Sequence, residues 1–264
     1  MIMRSVASLR KQIDGIIEQS LGIVSIVVEI NEETIISKNS KREMSSASLI
    51  KIPIIMAAFQ QAELGKIDLE EKIEVKPEHK VGGSGVIQYL TEGTLLSVKD
   101  LLTLMIIVSD NTATNMMIDL VGQETINYFN KQIGCNHTRL ERRLMDYVAR
   151  DMGLDNVTSA SDMVIFLKEI VENQFLTSKS TYEILNILSG QQFQDKLPAM
   201  MDSDHVFVAN KTGEIPGVEH DVAIIRHNDD QVFMAVLIDQ LENQYEGKQI
   251  IARTGKAVYD YLIQ

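Results

Sequence analysis

The sequence predicts an α+β fold of two lobes, in which an antiparallel sheet flanked by the terminal helices carries an inserted all-helical lobe. Three observations predict it. Stretches rich in β-branched residues lie near both ends of the 264-residue chain, the composition that strands favour. Between about residues 47 and 195 the apolar residues recur at helical spacing instead. Two isolated strands are marginal in water, so the strands at the two ends must meet in one sheet. Residues 1–264 then read as a single unit, with an α/β lobe over 1–46 and 197–264 and a helical lobe over 47–196. A cleft between two such lobes is where a small-molecule site is expected.

The elements follow in order. In "MIMRSVASLRKQIDGII", Val6, Leu9, Ile13, Ile16 and Ile17 share one face of an amphipathic helix. "GIVSIVVEI" (22–30) and "TIISK" (34–38) read as two strands joined by a tight turn at "NEE". "SLIKIPIIMAAFQQAELG" reads as a helix stopped by Gly65. "VKDLLTLMIIVSD", "NTATNMMIDLVG" and "QETINYFNKQIG" follow as helices, the last two each ended by glycine. "SASDMVIFLKEIVEN" starts like a capping box, with Ser159 three residues before Asp162. "HVFVANKTG", "HDVAIIRH" and "QVFMAVLID" read as three strands, the last two joined by "NDD", and "KQIIARTGKAVYDYLI" as a closing helix.

Composition limits the function. The net charge is −12, which argues against nucleic acid or an anionic membrane as the partner of the whole surface, though a local cationic pocket is allowed. The single cysteine, Cys135, excludes an internal disulfide and reads as a small core residue. The five histidines (His79, His137, His205, His220, His227) form no HExxH, so neither metal nor cofactor is implied. No run is long and apolar enough to span a membrane, and the opening residues lack the continuous apolar stretch of a secretory leader. The expectation is a monomer that is either cytoplasmic or a mature form with its leader removed.

Three short motifs carry chemistry. In Ser48-Leu49-Ile50-Lys51, helical spacing puts Lys51 beside the Ser48 hydroxyl. A buried, neutral lysine can take the proton that keeps a serine from being a good nucleophile. Ser109-Asp110-Asn111 lies between two helical segments, and Lys211-Thr212-Gly213 ends a predicted strand before "EIPG". Singly, the three read as a helix start with a solvated lysine, an N-capped junction and a turn glycine.

Together and in this order, S-x-x-K, S-D-N and K-T-G resemble the signature of the serine penicillin-recognising enzymes, most closely the class A β-lactamases. The stretch "DLLTLMIIVSDNTATNMMIDLVG" (100–122) is similar to that family along its length, and so is the order of elements. The resemblance implies a hydrolase that opens β-lactam rings through an acyl-enzyme on Ser48, with Lys51 as proton acceptor. It implies that Ser109 relays a proton to the departing nitrogen and that Asn111 binds the ligand's side-chain amide. Lys211 and Thr212, with Gly213, would hold the ligand carboxylate, and the N–H groups of Ser48 and Glu214 would form the oxyanion hole. The ligand is then a small-molecule β-lactam or a peptidoglycan-like peptide.

Between the second and third motifs the family carries R-x-E-x-x-L-N. Arg139, Glu141 and Leu144 match, and Met145 stands where the family has Asn. Glu141 would activate the water that frees the acyl-enzyme. A thioether cannot replace an amide in holding that water, so slow hydrolysis is expected. Arg139 normally pairs with an acid at the far end of this loop, near Asp155 or Asn156. His220 aligns with a carboxylate-binding arginine, which would make binding pH-dependent. Glu214 adds negative charge beside the carboxylate pocket, which disfavours a dianionic ligand. In "KVGGSGVIQYL" (80–90), the cleft's opposite rim, Ile87 or Tyr89 is placed to touch ligand. Two alternatives remain: a penicillin-binding or D,D-peptidase-like acyltransferase, and a sensor that is acylated and barely released.

Overall fold

A computed structural model describes residues 5–263; Met1–Arg4, the start of the stretch read for a leader, lie outside the described residues. The nine helices among them are α1 (Val6–Ile17), α2 (Lys51–Glu63), α3 (Val98–Ile107), α4 (Asn111–Val121), α5 (Gln123–Gln132), α6 (Tyr147–Asp151), α7 (Ala160–Glu172), α8 (Ser178–Ser189) and α9 (Gln244–Ile263). The strands are β1 (Ile23–Ile30), β2 (Glu33–Lys38), β3 (Met44–Ser45), β4 (Lys72–Glu74), β5 (Leu95–Ser97), β6 (Val157–Thr158), β7 (Phe207–Ile215), β8 (Val218–His227) and β9 (Asp230–Asp239). Short 3-10 turns include Ala47–Ile50 and Leu197–Met200.

The strands from the two ends of the chain do meet. One five-stranded antiparallel sheet runs β2-β1-β9-β8-β7, with Val27 opposite Ala235 at the junction of the N- and C-terminal parts. Alternation along β9 divides the core. Val232, Met234, Val236 and Ile238 pack under the two terminal helices with Ile13, Ile251 and Val258. Phe233, Ala235 and Leu237 face the other way, into the helical part with Leu49, Phe166 and Met163. The sheet is therefore the middle layer, with α1 and α9 on one face and the helical part on the other. No described helix is long and apolar enough to cross a membrane.

Local rules explain the element starts. The Ser97 hydroxyl and the Asp100 carboxylate cap α3 reciprocally, at 3.0 Å each. The Ser159 hydroxyl accepts from the Asp162 N–H at 3.2 Å at the head of α7. Two expectations shift. Helix α8 was not legible as a separate element, and K-T-G does not end a strand: β7 continues through Glu214 to Ile215 and turns at Pro216-Gly217.

Candidate active site

The Ser48 turn is held between the sheet and α2. Ala47, just before it, has φ +44°, a left-handed conformation unusual for a residue with a Cβ. Such strain persists only where the surroundings enforce it. One of the enforcing surfaces is Gly213 on β7. A Cβ there would stand 3.3 Å from the Ser46 carbonyl oxygen and from Leu49 Cγ, so any larger residue would push the turn off the strand by a few tenths of an ångström. Lys51 follows as the first residue of α2 and is fully buried.

Lys51 Nζ is the hub. It lies 3.0 Å from Ser48 Oγ, 2.7 Å from the Ser109 carbonyl oxygen, 2.9 Å from Ser109 Oγ and 3.0 Å from Asn111 Oδ1. Two of these partners, the carbonyl and the amide oxygen, can only accept. A neutral amine has two N–H donors for them and one lone pair left for a hydroxyl proton. Burial, and then the charge of Lys211, hold the Lys51 pKa well below that of an ordinary lysine, with Asp110 pulling the other way.

The S-D-N segment divides its labour. Asp110 is the N-cap of α4: its Oδ1 accepts from the Ala113 N–H at 2.9 Å, and its Oδ2 accepts from the N–H groups of Val86 and Ile87 at 2.7 and 2.8 Å. Ser109, at φ +54°, and Asn111 turn toward Lys51 on either side of that cap. Asn111 Nδ2 donates to the Gly82 carbonyl at 3.1 Å. A Cβ on Gly83, at φ +83°, would lie 2.6 Å from that same nitrogen, so the rim loop can approach this closely only as glycine. Gly83 and Ser84 line the cleft, whereas Ile87 is buried in the core and Tyr89 points to solvent. Neither Ile87 nor Tyr89 therefore takes the ligand-contact place expected of it.

Lys211 reaches Ser109 Oγ at 3.2 Å and the Thr212 carbonyl at 2.9 Å. Its pKa is pushed down to about 7 by burial, against the pull of Asp221 and with a further push from Lys196. Thr212 and Glu214 line the cleft. Glu214 does not stand alone: Lys248 of α9 lies 3.0 Å from its carboxylate and 3.0 Å from Asp195. The negative charge expected beside the carboxylate pocket is thus partly offset by a lysine with no sequence signal, shared between Glu214 and Asp195.

His220 does not reach the cleft. It is fully buried opposite Gly213, with one ring nitrogen 2.9 Å from the Ser45 carbonyl oxygen and the other accepting from the Ile238 N–H at 3.1 Å. Burial pushes its pKa down to about 4. A neutral, enclosed imidazole is no substitute for a carboxylate-binding arginine, and that expectation is corrected.

Glu141 departs further. Its carboxylate accepts from the Asp155 N–H at 3.4 Å and lies 3.8 Å from Arg139 Nε. Among the described residues it makes no hydrogen bond to Ser48, Lys51 or Asn111, and it does not line the cleft. The loop is tied differently from the expected Arg139 pairing. Arg139 forms a bidentate pair with Glu43 at 2.8 and 2.9 Å. Arg142 instead takes Asp155, at 2.9 and 2.7 Å. Asn156 Oδ1 accepts from the N–H groups of Glu141 and Arg142, and its Nδ2 donates to the Arg142 carbonyl. These bonds fix the segment so that Arg142, Leu144 and Met145 face the cleft.

The resulting cleft has a volume of about 740 Å3, with Ser48, Ser109, Asn111 and Thr212 along its floor. Fold and cleft together define the class: this is the two-lobed architecture of the class A β-lactamases and related penicillin-binding proteins. The chain belongs to the beta-lactamase enzyme family, which it matches over residues 8–262. It is similar to a beta-lactamase from Sphaerobacter thermophilus, at 26% identity over 96% of both chains with a TM-score of 0.87. It also shares its fold with a beta-lactamase from Xanthomonas campestris (20% identity, 98% of both chains, TM-score 0.88). A PBP-A mutant, whose structure is an acyl-enzyme complex with penicillin G, shares it too (24% identity, 96% of both chains, TM-score 0.86).

Proposed function

We propose that this protein is a serine enzyme that β-lactams acylate at Ser48 and that releases the acyl group slowly. The observation that carries the reading is Lys51: a buried lysine 3.0 Å from the serine hydroxyl, with its donors directed at obligate acceptors. Lys211 and Thr212 take the ligand carboxylate and Asn111 its side-chain amide. Lys51 accepts the Ser48 proton as Oγ attacks the lactam carbonyl carbon. The N–H groups of Ser48 and Glu214 hold the oxyanion. As the C–N bond breaks, Ser109, between Lys51 and Lys211, passes that proton to the departing nitrogen. The balance closes without metal or redox partner.

Hydrolysis of the ester needs a water and a base. Glu141 is the residue the loop motif offers, but its carboxylate is turned toward Arg139 and Asp155. That observation favours a second reading beside slow hydrolysis: a penicillin-binding, D,D-peptidase-like acyltransferase acting on a peptidoglycan-like peptide, or in the limit a sensor that stays acylated. Intact-mass timing with nitrocefin separates them. A transient adduct with steady turnover marks a hydrolase; a burst and a persistent adduct mark the acyltransferase or sensor. No adduct on the native protein, or an adduct retained in Ser48→Ala, would sink the proposal.

A further inference from the structure

Four arginines lie between residues 139 and 150, and three have carboxylate partners: Arg139 with Glu43, Arg142 with Asp155, and Arg143 with Asp119. Arg150 is the exception. It makes no ion pair among the described residues, in a chain with 37 acidic residues to 25 basic ones. It is exposed and lines the Ser48 cleft. Its guanidinium stands over the Tyr147 ring, 5.9 Å from the centroid. A guanidinium backed by an aromatic face keeps its edge N–H donors free, the arrangement that suits a bidentate carboxylate.

Contacts lead from the catalytic floor to this cation. Asn111 lies against Gly83, where a Cβ would also stand 3.1 Å from Met145 Sδ. The Tyr147 hydroxyl is 3.8 Å from that sulfur, and Arg150 sits on the Tyr147 ring. The wall of the cleft beyond Asn111 is thus Gly83, Met145, Tyr147 and Arg150. Of the acids nearest in sequence, Asp146 is engaged in capping α6, where its Oδ1 accepts from the Ala149 N–H at 2.9 Å, and Asp151 is exposed and forms no ion pair with Arg150 among the described residues. Asp155 is held by Arg142 and by the Ser45 hydroxyl.

We propose that Arg150, backed by Tyr147, is a second anion subsite at the acyl-side-chain end of the cleft, so that the ligand class is a dicarboxylate. One carboxylate goes to Lys211 and Thr212, and the other, carried on the acyl side chain, goes to Arg150. The assignment of ends rests on the proposed acylation reading. The pairing of Glu214 with Lys248, which Asp195 shares, reduces the repulsion that a dianion meets at the Lys211 end.

The test is equilibrium binding to Ser48→Ala protein, which needs no acylation. The probes are penicillin G and carbenicillin, which differ by one carboxylate on the side-chain α-carbon. Carbenicillin is expected to bind about tenfold tighter at low salt, an advantage that shrinks in 0.5 M NaCl. Arg150→Gln should erase that ratio, Arg150→Glu should invert it, and Arg150→Lys should restore part of it. Equal affinities for the two penicillins, or a ratio that Arg150→Gln leaves intact, overturns the subsite. Failure of Ser48 acylation in the native protein would instead count against the proposed chemistry and leave this binding measurement standing.

Discussion

Glu141 Oε1 lies 3.8 Å from Arg139 Nε, and its other oxygen accepts from the Asp155 N–H. The carboxylate that the loop motif assigns to deacylation is therefore turned toward Arg139 and the Asp155 backbone and does not line the cleft. A base must come within hydrogen-bond reach of the water it activates. Glu141→Gln should then alter the decay of a penicillin G adduct, followed by intact mass, by less than about threefold. A slowing of roughly a hundredfold, the size of effect seen when a positioned catalytic group is removed, would mean that the carboxylate swings into the cleft once Ser48 is acylated.

Met145 is held at φ +64°. The left-handed conformation costs an ordinary residue roughly 1–2 kcal/mol, and asparagine is among the few that visit it routinely. Met145 is only partly buried, so little packing is lost on replacement. Met145→Asn should raise the stability by about 0.5–1 kcal/mol. A melting temperature higher by roughly 1–4 °C reads this out. A lower melting temperature would mean that the Met145 contacts with Tyr147 and the glycine rim outweigh the backbone strain.

Two lysines should shape the pH profile of acylation. In the proposed acylation Lys51 works as a neutral acceptor, and its pKa lies well below the ordinary lysine value. In the same proposal Lys211 binds the ligand carboxylate as a cation, and its pKa is about 7. Raising the pH thus helps Lys51 and harms Lys211. The second-order acylation constant should fall on the alkaline side with a midpoint near pH 7. The sign for stability is opposite. The folded state gives up the Lys211 proton before the unfolded chain does, so this group's contribution rises with pH from about 7 upward. In Lys211→Arg the alkaline fall of acylation should vanish, because arginine stays charged. An alkaline limb that persists unchanged in that variant assigns it to another group.

The parts of the site legible in the sequence were those set by short-range geometry. Ser48 and Lys51 share a helical face because they are three residues apart. The S-D-N cap announces itself because an Asx residue heads an apolar helix. What was not legible depends on contacts across the chain. Arg139 finds Glu43 at a separation of 96 residues, which leaves Arg142 to take Asp155. Sequence position aligns His220 with a ligand-binding arginine, yet its place on β8, opposite Gly213 of β7, carries it to the Ser45 carbonyl. Lys248 sits on the last helix and meets Glu214 only because α9 packs across the sheet. Residue type and spacing predict who is in the neighbourhood; strand register and loop path decide which way each side chain faces.

That loop path hangs on one buried side chain. Asn156 accepts from the N–H groups of Glu141 and Arg142 at 2.8 and 3.0 Å and donates to the Arg142 carbonyl at 3.0 Å. Asn156→Ala strands two donors and one acceptor at once, a cost of about 2–3 kcal/mol. The melting temperature should drop by roughly 5–10 °C. Hydrogen exchange should accelerate over residues 139–157 while β9, in the centre of the sheet, keeps its protection. Asn156→Asp keeps the acceptor for both N–H groups and loses only the donated bond, so it should fall between native and Asn156→Ala. Uniform loss of protection in Asn156→Ala would show that the loop and the sheet unfold as one unit, and that the position of Arg142, Met145 and Glu141 is set by the whole fold rather than by this amide.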